Sequence, residues 1–213
     1  KTNILDQISL LDKPYIIYRS KKGFCLYTDF SKKIILTKKN ITSFLKKTNQ
    51  KQKKLKKTDL YVGFFGYEIL NDLINVKIPK QKETNFPKGI FYKPEKIINL
   101  NEDLQYQPQK INKTDSKFKI NIDRKSYTKI FNKFKTKIKK GETYQIKICT
   151  KYRNKSKIDP LDYFCRLTKT NLAPEAFLIK DKEYSIISCS PETLIIKKGN
   201  SISPKPIAGA EWD

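Results

Sequence analysis

The chain has 213 residues, of which 38% are hydrophobic and 12% aromatic, a composition that excludes a disordered protein. Its net charge of +25 suggests a polyanionic partner, but only four of its 46 basic residues are arginine. Specific nucleic-acid sites depend on arginine for bidentate contacts, so a non-enzymatic, lysine-rich nucleic-acid-binding protein is kept only as an alternative. Such a protein would lose affinity steeply as the salt concentration rises.

The absence of histidine and the spacing of the cysteines limit the kinds of catalytic or metal site that this chain can form. The chain has no histidine, which excludes Ser–His and Cys–His nucleophile pairs. Its four cysteines are scattered and form no C-x-x-C motif, so we expect reduced packing residues of a cytoplasmic protein. No apolar run approaches the roughly 18 to 20 residues that span a membrane, and no secretory signal is visible. The lack of methionine at position 1 fits a chain whose true start is missing.

The first 50 residues predict strands followed by a helix. Residues 14–36 indicate short strands separated by turns at Lys22-Gly23 and around Asp29. The stretch "ITSFLKK" (41–47) indicates a helix after a polar segment.

Residues 59–70 predict an apolar strand that runs into the start of a helix. Gly63 and Gly66 within it indicate close backbone packing against another element. Further strands are expected at "KGIFY" (88–92) and "EKIINL" (95–100). Residues 59–100 are therefore expected to contribute strands and little helix to the fold.

The second half predicts two helices and a block of strands. Residues 123–141 have apolar side chains at helical spacing, which predicts a helix with a core-facing stripe of Tyr127, Ile130, Phe131, Phe134 and Ile138. Residues 142–152 alternate as a strand, 159–171 open with a cap and a proline as a helix does, and 175–209 predict four short strands. Because strands and helices occur in blocks, we expect an α+β fold with largely antiparallel sheets flanked by helices.

Several motifs occur in an order that resembles a known family. They are "GFFGYEI" (63–69), "KKGETYQIKI" (139–148), "DPLDYFCRL" (159–167), "TNLAPEAFL" (170–178), "SCSPETLII" (188–196) and "PIAGA" (206–210). Together they resemble component I of the chorismate-aminating synthases, the group that holds anthranilate synthase and aminodeoxychorismate synthase. The resemblance runs from about residue 14 to residue 210.

The resemblance implies a longer, two-domain fold. Residues 1–104 would form its N-terminal region, 105–120 a linker or loop, and 121–213 the first part of the chorismate-binding catalytic domain. It also implies Mg²⁺ held by glutamates of a C-terminal part, and ammonia supplied by a glutamine amidotransferase subunit or domain. We therefore expect the chain to be a fragment, truncated at both ends and inactive alone.

By the resemblance, Glu192 of "SPE" is the general acid that protonates the departing C4 hydroxyl of chorismate. Apolar neighbours on the following strand could bury this side chain, and a carboxyl group kept neutral by desolvation can donate a proton. Taken without the resemblance, Glu192 is an ordinary glutamate at a strand start that hydrogen-bonds a turn.

Gln145 matches a position that is lysine in the water-adding relatives, the isochorismate and salicylate synthases. A lysine amine can deprotonate water, whereas an amide has no basic nitrogen, so Gln145 favours ammonia as the species added. Lys147 lies two residues on and points to the same face of the predicted strand, so it could take that role instead. Otherwise Gln145 is a polar residue on the outer face of a strand.

The motif around Ala208 bears on which product is made. The backbone of Ile207, Ala208 and Gly209 is expected to lie against the substrate ring. Aminodeoxychorismate-type enzymes mostly have lysine where this chain has Ala208, and an amine there can add to C2 covalently. Ala208 therefore matches the anthranilate type, while Ala210 replaces the usual threonine of both types.

Other residues favour the opposite assignment. Arg19 replaces an acidic residue typical of tryptophan-controlled anthranilate synthases, and Glu175-Ala176 replaces their Tyr-Met pair. Together these features favour aminodeoxychorismate synthase, which serves the 4-aminobenzoate and folate pathway. Anthranilate synthase, which serves the tryptophan pathway, is the alternative.

Overall fold

The computed structural model describes residues 3–10, 12–20, 22–49, 57–74, 86–100, 104–106, 117–198 and 201–205. The chain forms two compact units. Unit 1 comprises residues 1–108 and 160–213, and unit 2 comprises residues 109–159. Both are described here within those residues.

The elements are numbered in chain order. The helices are α1 (Ile4–Leu10), α2 (Ile41–Thr48), α3 (Leu70–Leu73), which follows a 3₁₀ turn (Tyr67–Ile69), α4 (Arg124–Lys139) and α5 (Pro160–Thr170). The strands are β1 (Tyr15–Ser20), β2 (Gly23–Ile35), β3 (Val62–Phe65), β4 (Gly89–Asn99), β5 (Lys119–Ile120), β6 (Tyr152–Arg153), β7 (Glu175–Lys180), β8 (Ser185–Ser190), β9 (Thr193–Lys198) and β10 (Ser201–Lys205). None of the helices within the described ranges is long and apolar enough to cross a bilayer.

Unit 1 is built on a six-stranded sheet in the order β3-β4-β2-β1-β7-β8, and every neighbouring pair is antiparallel. β9 and β10 form a separate antiparallel hairpin. The prediction of an α+β fold with antiparallel sheet and flanking helices is confirmed. The central pairing of β1 with β7 joins the start of the chain to its last third.

One face of the sheet is covered by α1 and α5. Leu161 and Phe164 of α5 are fully buried against Ile17, Phe24 and other sheet residues. The rings of Phe24 and Phe164 meet edge to face, with centroids 5.8 Å apart, a favourable arrangement for aromatic pairs. This layer holds β1, β2 and β7 in register.

The opposite face of the sheet has its own apolar cluster. Because successive side chains of a strand point to opposite faces, Ile16 lies here while Ile17 lies under the helices. Ile90, Tyr92 and Ile179 complete the buried part of this cluster. The candidate site described below lies on this face.

A buried carboxylate closes the end of β7. Asp181, with 3% of its surface exposed, accepts a hydrogen bond from Lys33 Nζ at 2.6 Å and another from the Tyr92 hydroxyl. The backbone N–H of Lys182 donates to its second oxygen at 2.6 Å. Burial alone would raise the pKa of Asp181, but these three donors hold that pKa below its ordinary value.

The predicted turn around Asp29 is wrong, because β2 continues through it. Asp29 takes a left-handed φ of 52°, and the β2–β4 register shifts between Phe30 and Lys32. The shift falls opposite Pro94, which has no N–H to donate to the ladder. This bulge also lets the two strands predicted at 88–92 and 95–100 form one continuous strand, β4.

The close packing predicted for Gly63 is confirmed. A Cβ atom at this position would lie 1.9 Å from the carbonyl oxygen of Ile90 on β4, closer than any side chain tolerates. The missing side chain therefore allows β3 to pair with β4 at the edge of the sheet.

Unit 2 contains α4 at the predicted position. Asp123 caps it by accepting a hydrogen bond from the Ser126 backbone N–H at 2.7 Å, and Gly141 follows with a left-handed φ of 72°. The predicted core-facing stripe is wrong for the residues that the structure describes. Tyr127 and Phe131 of that stripe stack on each other and are 42% and 46% exposed.

The strand predicted at 142–152 is also wrong in extent. Only Tyr152–Arg153 pairs, with Lys119–Ile120, as β6 with β5. Residues 145–150 keep the alternation of exposed and half-buried side chains, but within the described ranges they have no partner strand. A two-residue partner is too short to extend the ladder, so the alternating pattern alone does not make a strand.

The domain division expected from the resemblance (1–104, 105–120 and 121–213) stays a prediction. Most of the expected linker, 107–116, lies outside the described residues. The compact units reflect contacts within this chain and do not test domain boundaries of a longer protein.

Candidate active site

Glu192 lies on the two-residue connection between β8 and β9. The Ser190 hydroxyl fixes this connection, because it donates to the Glu192 carbonyl at 3.3 Å and accepts from the Glu192 N–H at 3.4 Å. Pro191 restricts the backbone between them through its fixed φ. Glu192 as a residue is half-buried.

The sheet face beneath Glu192 is formed by alternate residues of two paired strands. Tyr18 of β1 is directly opposite Phe177 of β7, and Glu175 lies on the same face two residues earlier in β7. Glu175 in turn pairs with Ser190, the last residue of β8. This register brings the start of β7 next to the connection that carries Glu192.

Glu192 lines a cavity of about 490 Å³ on this face, a volume in the range of small-molecule sites. Its polar lining consists of Tyr18, Tyr27, Tyr61, Glu175, Ser190, Glu192 and Thr193, and its apolar lining includes Ile16, Val62, Phe91, Phe177 and Ile179. Among these lining residues there are two carboxylates and no basic side chain. The wall described here thus supplies carboxyl and phenol groups to a ligand.

Both oxygens of the Glu175 carboxylate accept hydrogen bonds from hydroxyl groups. Tyr18 donates to one oxygen and Thr193 donates to the other. Glu175 therefore links β1, β7 and the first residue of β9. Together with Arg19, Glu175 also lines a second cavity of about 850 Å³. Glu175 therefore lies between two adjoining cavities.

Two tyrosines of the cavity keep their protons at neutral pH. Burial is the main reason that the pKa of Tyr18 lies well above its ordinary value, and the hydrogen bond to Glu175 raises this pKa further. Burial is also the main reason that the pKa of Tyr27 is raised to about 12, and the nearby Cys25 adds to this shift. Both phenols are neutral in this wall, and that of Tyr18 donates to Glu175.

Gln145 belongs to unit 2, where its side chain is exposed. It lies on the extended segment that follows α4, and its backbone carbonyl accepts a hydrogen bond from the Thr143 hydroxyl at 3.1 Å. Ile146 and Ile148 on the alternate positions are half-buried, so Gln145 and Lys147 share the exposed side. The role of Gln145 at a substrate site stays a prediction.

Ile207, Ala208 and Gly209 lie outside the described residues, so their predicted backbone contact with a substrate also stays a prediction. Among the residues that are described, no three His, Cys, Asp or Glu side chains lie together in a way that could hold a metal ion. The groups present in the described site therefore do not fit Mg²⁺, and the expectation that glutamates of a C-terminal part hold this ion stays a prediction.

Sequence reasoning missed the tyrosines and Thr193 of this cavity. Tyr18 and Glu175 are far apart in the chain and meet only because β1 pairs with β7. The available signal was the two-residue alternation of residues 16–18 and 175–179, which places these side chains on one face. The identity of the partner strand was the missing information.

Comparisons with known proteins match the chain to one family and to several proteins named as anthranilate synthase components. The sequence model of a family described as chorismate binding enzyme matches residues 13–211. An anthranilate synthase component I-like protein of Synechocystis sp. is 24% identical over 174 residues, 70% of this chain and 36% of the relative. An anthranilate synthase component 1 of Buchnera aphidicola subsp. Pemphigus spyrothecae is 25% identical over 199 residues, 76% of this chain and 38% of the relative.

A shorter match has higher identity. An anthranilate synthase component 1 of Archaeoglobus fulgidus is 34% identical over 86 residues, 40% of this chain and 21% of the relative. The chain spans only 36% of the length of the Synechocystis relative and 38% of the length of the Buchnera relative.

Proposed function

Because the chain belongs to the chorismate-binding enzyme family, we propose that the native protein aminates chorismate with ammonia. The observation that carries this proposal is the position of Glu192 on the wall of a cavity large enough for a small molecule. Family membership favours this proposal over a lysine-rich nucleic-acid-binding protein. A gel-retardation assay across salt concentrations separates the two, since binding through phosphate contacts alone weakens steeply with salt.

Glu192 is the proposed general acid. A hydroxyl group leaves poorly as hydroxide, so its departure from C4 of chorismate requires a proton. The Glu192 carboxyl would give its proton to the C4 oxygen, the C4–O bond would break, and water would leave. Its position on the cavity wall supports this role, because a general acid must lie within reach of the bound substrate.

Gln145 is proposed to favour ammonia over water as the nucleophile. Ammonia is nucleophilic as the neutral amine, whereas water needs a base, and the amide of Gln145 has no basic nitrogen. Replacing Gln145 by lysine should introduce some isochorismate formation in the native protein. Chromatographic product analysis that finds no isochorismate with this variant would count against the role.

The remaining requirements of the reaction are proposed to lie outside the described cavity. Chorismate is a dicarboxylate, and the described cavity wall has two carboxylates and no basic side chain. The groups that neutralise the substrate, Mg²⁺ included, would therefore come from residues beyond this wall. A glutamine amidotransferase partner would supply the ammonia.

Two products are candidates. The relatives named above carry the name anthranilate synthase, and Ala208 lacks the amine of most aminodeoxychorismate-type enzymes, so we place anthranilate first. Arg19 and Glu175 depart from the tryptophan-controlled anthranilate synthases and favour aminodeoxychorismate as the second candidate.

The test is an assay of the native protein with chorismate, Mg²⁺ and an ammonium salt, followed by identification of the product. Anthranilate is expected, and aminodeoxychorismate would support the second candidate. Consumption of chorismate without an aminated product, or none at all, would contradict the proposed function. Adding ammonium directly makes the assay independent of the amidotransferase.

A further inference from the structure

The hairpin that follows Glu192 has little apolar burial to hold it in place. Leu194 and Ile195 of β9 are 78% and 60% exposed, and Ile202 of β10 is 63% exposed. Since β9 and β10 pair only with each other among the described strands, no ladder of backbone hydrogen bonds ties them to the six-stranded sheet. Polar contacts at the ends of the Glu192 connection therefore contribute to its position.

Glu175 supplies the polar contact on the β9 side. One carboxylate oxygen accepts from the hydroxyl of Thr193, the residue directly after Glu192. The other oxygen accepts from the hydroxyl of Tyr18 on the central strand β1. A carboxylate that accepts two hydroxyl groups forms charge-assisted hydrogen bonds, which are stronger than neutral ones.

We propose that Glu175 is a positioning residue that fixes the 190–193 connection, and with it the Glu192 carboxyl, against the wall of the cavity. The catalytic part of this inference rests on the proposed function. Glu175 acts through Thr193 in this proposal, because one of its oxygens accepts from Thr193 while the other accepts from Tyr18 on the sheet.

Three variants of the native protein test the proposal. Glu175→Leu keeps the side-chain size and removes both acceptors. Thr193→Val removes one hydroxyl at constant shape and leaves the Tyr18 contact intact. Glu175→Gln removes the charge but keeps an amide that can bond to both hydroxyl groups.

A matched control changes a different half-buried ion pair of unit 1. The Asp72 carboxylate accepts from Lys88 Nζ at 2.7 Å, and Asp72 does not line the cavity. Asp72→Asn therefore weakens a comparable contact without touching the 190–193 connection.

Hydrogen–deuterium exchange of the peptide that covers 189–196 is the first readout, and it needs no activity. Glu175→Leu and Thr193→Val should make the amides of Glu192 and Thr193 exchange about tenfold faster, because one hydrogen bond is worth roughly one tenfold step in an opening equilibrium. Asp72→Asn should leave this peptide at the wild-type rate, and Glu175→Gln, whose neutral amide bonds more weakly than a carboxylate, should raise the rate by less than Glu175→Leu does. Unchanged exchange in Glu175→Leu would overturn the proposal.

Steady-state kinetics with chorismate is the second readout. Glu175→Leu should lower kcat by about 10- to 100-fold with little change in KM, since small displacements of a catalytic group reduce the chemical step. Its pH profile should keep the wild-type shape, and Glu175→Gln should restore most of kcat. If Glu175→Gln is as impaired as Glu175→Leu, the charge itself is required and the positioning role is wrong.

The two readouts separate this inference from the proposed function. A wild-type protein that does not aminate chorismate refutes the proposed function, and the exchange measurement alone then decides whether Glu175 anchors the connection. An active wild type with faster exchange but normal kcat in Glu175→Leu would overturn the catalytic part of the inference.

Discussion

Two amphipathic helices, α5 in unit 1 and α4 in unit 2, differ in what covers them. The sequence predicts α4 from apolar side chains at helical spacing and α5 from a cap and a proline at its start. Phe164 of α5 is fully buried against the sheet, whereas Phe131 of α4 is 46% exposed. Apolar spacing thus identifies a helix and the face that can be buried. It does not identify the element that buries it.

The largest expected effect on stability comes from truncating the buried ring. Phe164→Ala should lower the free energy of unfolding by about 3 to 5 kcal/mol, because it leaves a cavity where Phe24 now makes edge-to-face contact. Urea unfolding followed by far-UV circular dichroism measures this loss.

Phe131→Ala is the matched control for that prediction. Its half-exposed ring should contribute less than about 1 kcal/mol, in line with substitutions outside a core. Equal losses in the two variants would contradict the described difference and would show that α4 is covered in the native protein.

The next largest effect concerns the buried carboxylate of unit 1. Asp181→Asn should lower the free energy of unfolding at pH 7 by about 1 to 3 kcal/mol, since it weakens the bonds from Lys33 and Tyr92. Lys33 is 42% exposed, so water limits the loss.

The same residue predicts a pH dependence. The folded pKa of Asp181 is held below its ordinary value of 3.8, so its contribution is present above about pH 4 and is lost as the pH falls below that value. Urea unfolding at pH 7 and pH 3 should therefore show a smaller difference between wild type and Asp181→Asn at pH 3. A constant difference would argue against the lowered pKa.

The smallest effect is expected in unit 2. Asp123→Ala removes the acceptor for the Ser126 N–H at the start of α4 and should therefore let the first turn of this helix open more often. The measurement is hydrogen–deuterium exchange of the first turn of α4. Lysine-rich α4 has little burial to compensate, so unchanged exchange would show that something beyond the cap holds its start.

Much of the fold was predictable because local signals agree with the tertiary structure. The turn at Lys22-Gly23 with strands on either side, and the four strands from residue 175 onward, follow from alternation and turn residues. The extent of the strand at 142–152 was not predictable in this way. Its side chains alternate, but the partner strand that the structure describes is only two residues long. The bulge opposite Pro94 was missed for a similar reason, because it depends on which strand lies alongside.

The site was predictable only in part. Glu192 was identified by its motif, and the structure places it on a cavity wall. Tyr18 and Glu175 were not assigned to the site, because no local pattern shows that β1 lies beside β7. Long-range pairing of this kind is the information that a single sequence carries least well.

The central claim is that the Glu192 carboxyl donates the proton that lets the C4 hydroxyl of chorismate leave. The most direct measurement is kcat of Glu192→Gln in the native protein, with chorismate and an ammonium salt, because glutamine keeps the shape but has no acidic proton. The account predicts that kcat falls by about 10²- to 10⁴-fold while chorismate still binds. An unchanged kcat would contradict it.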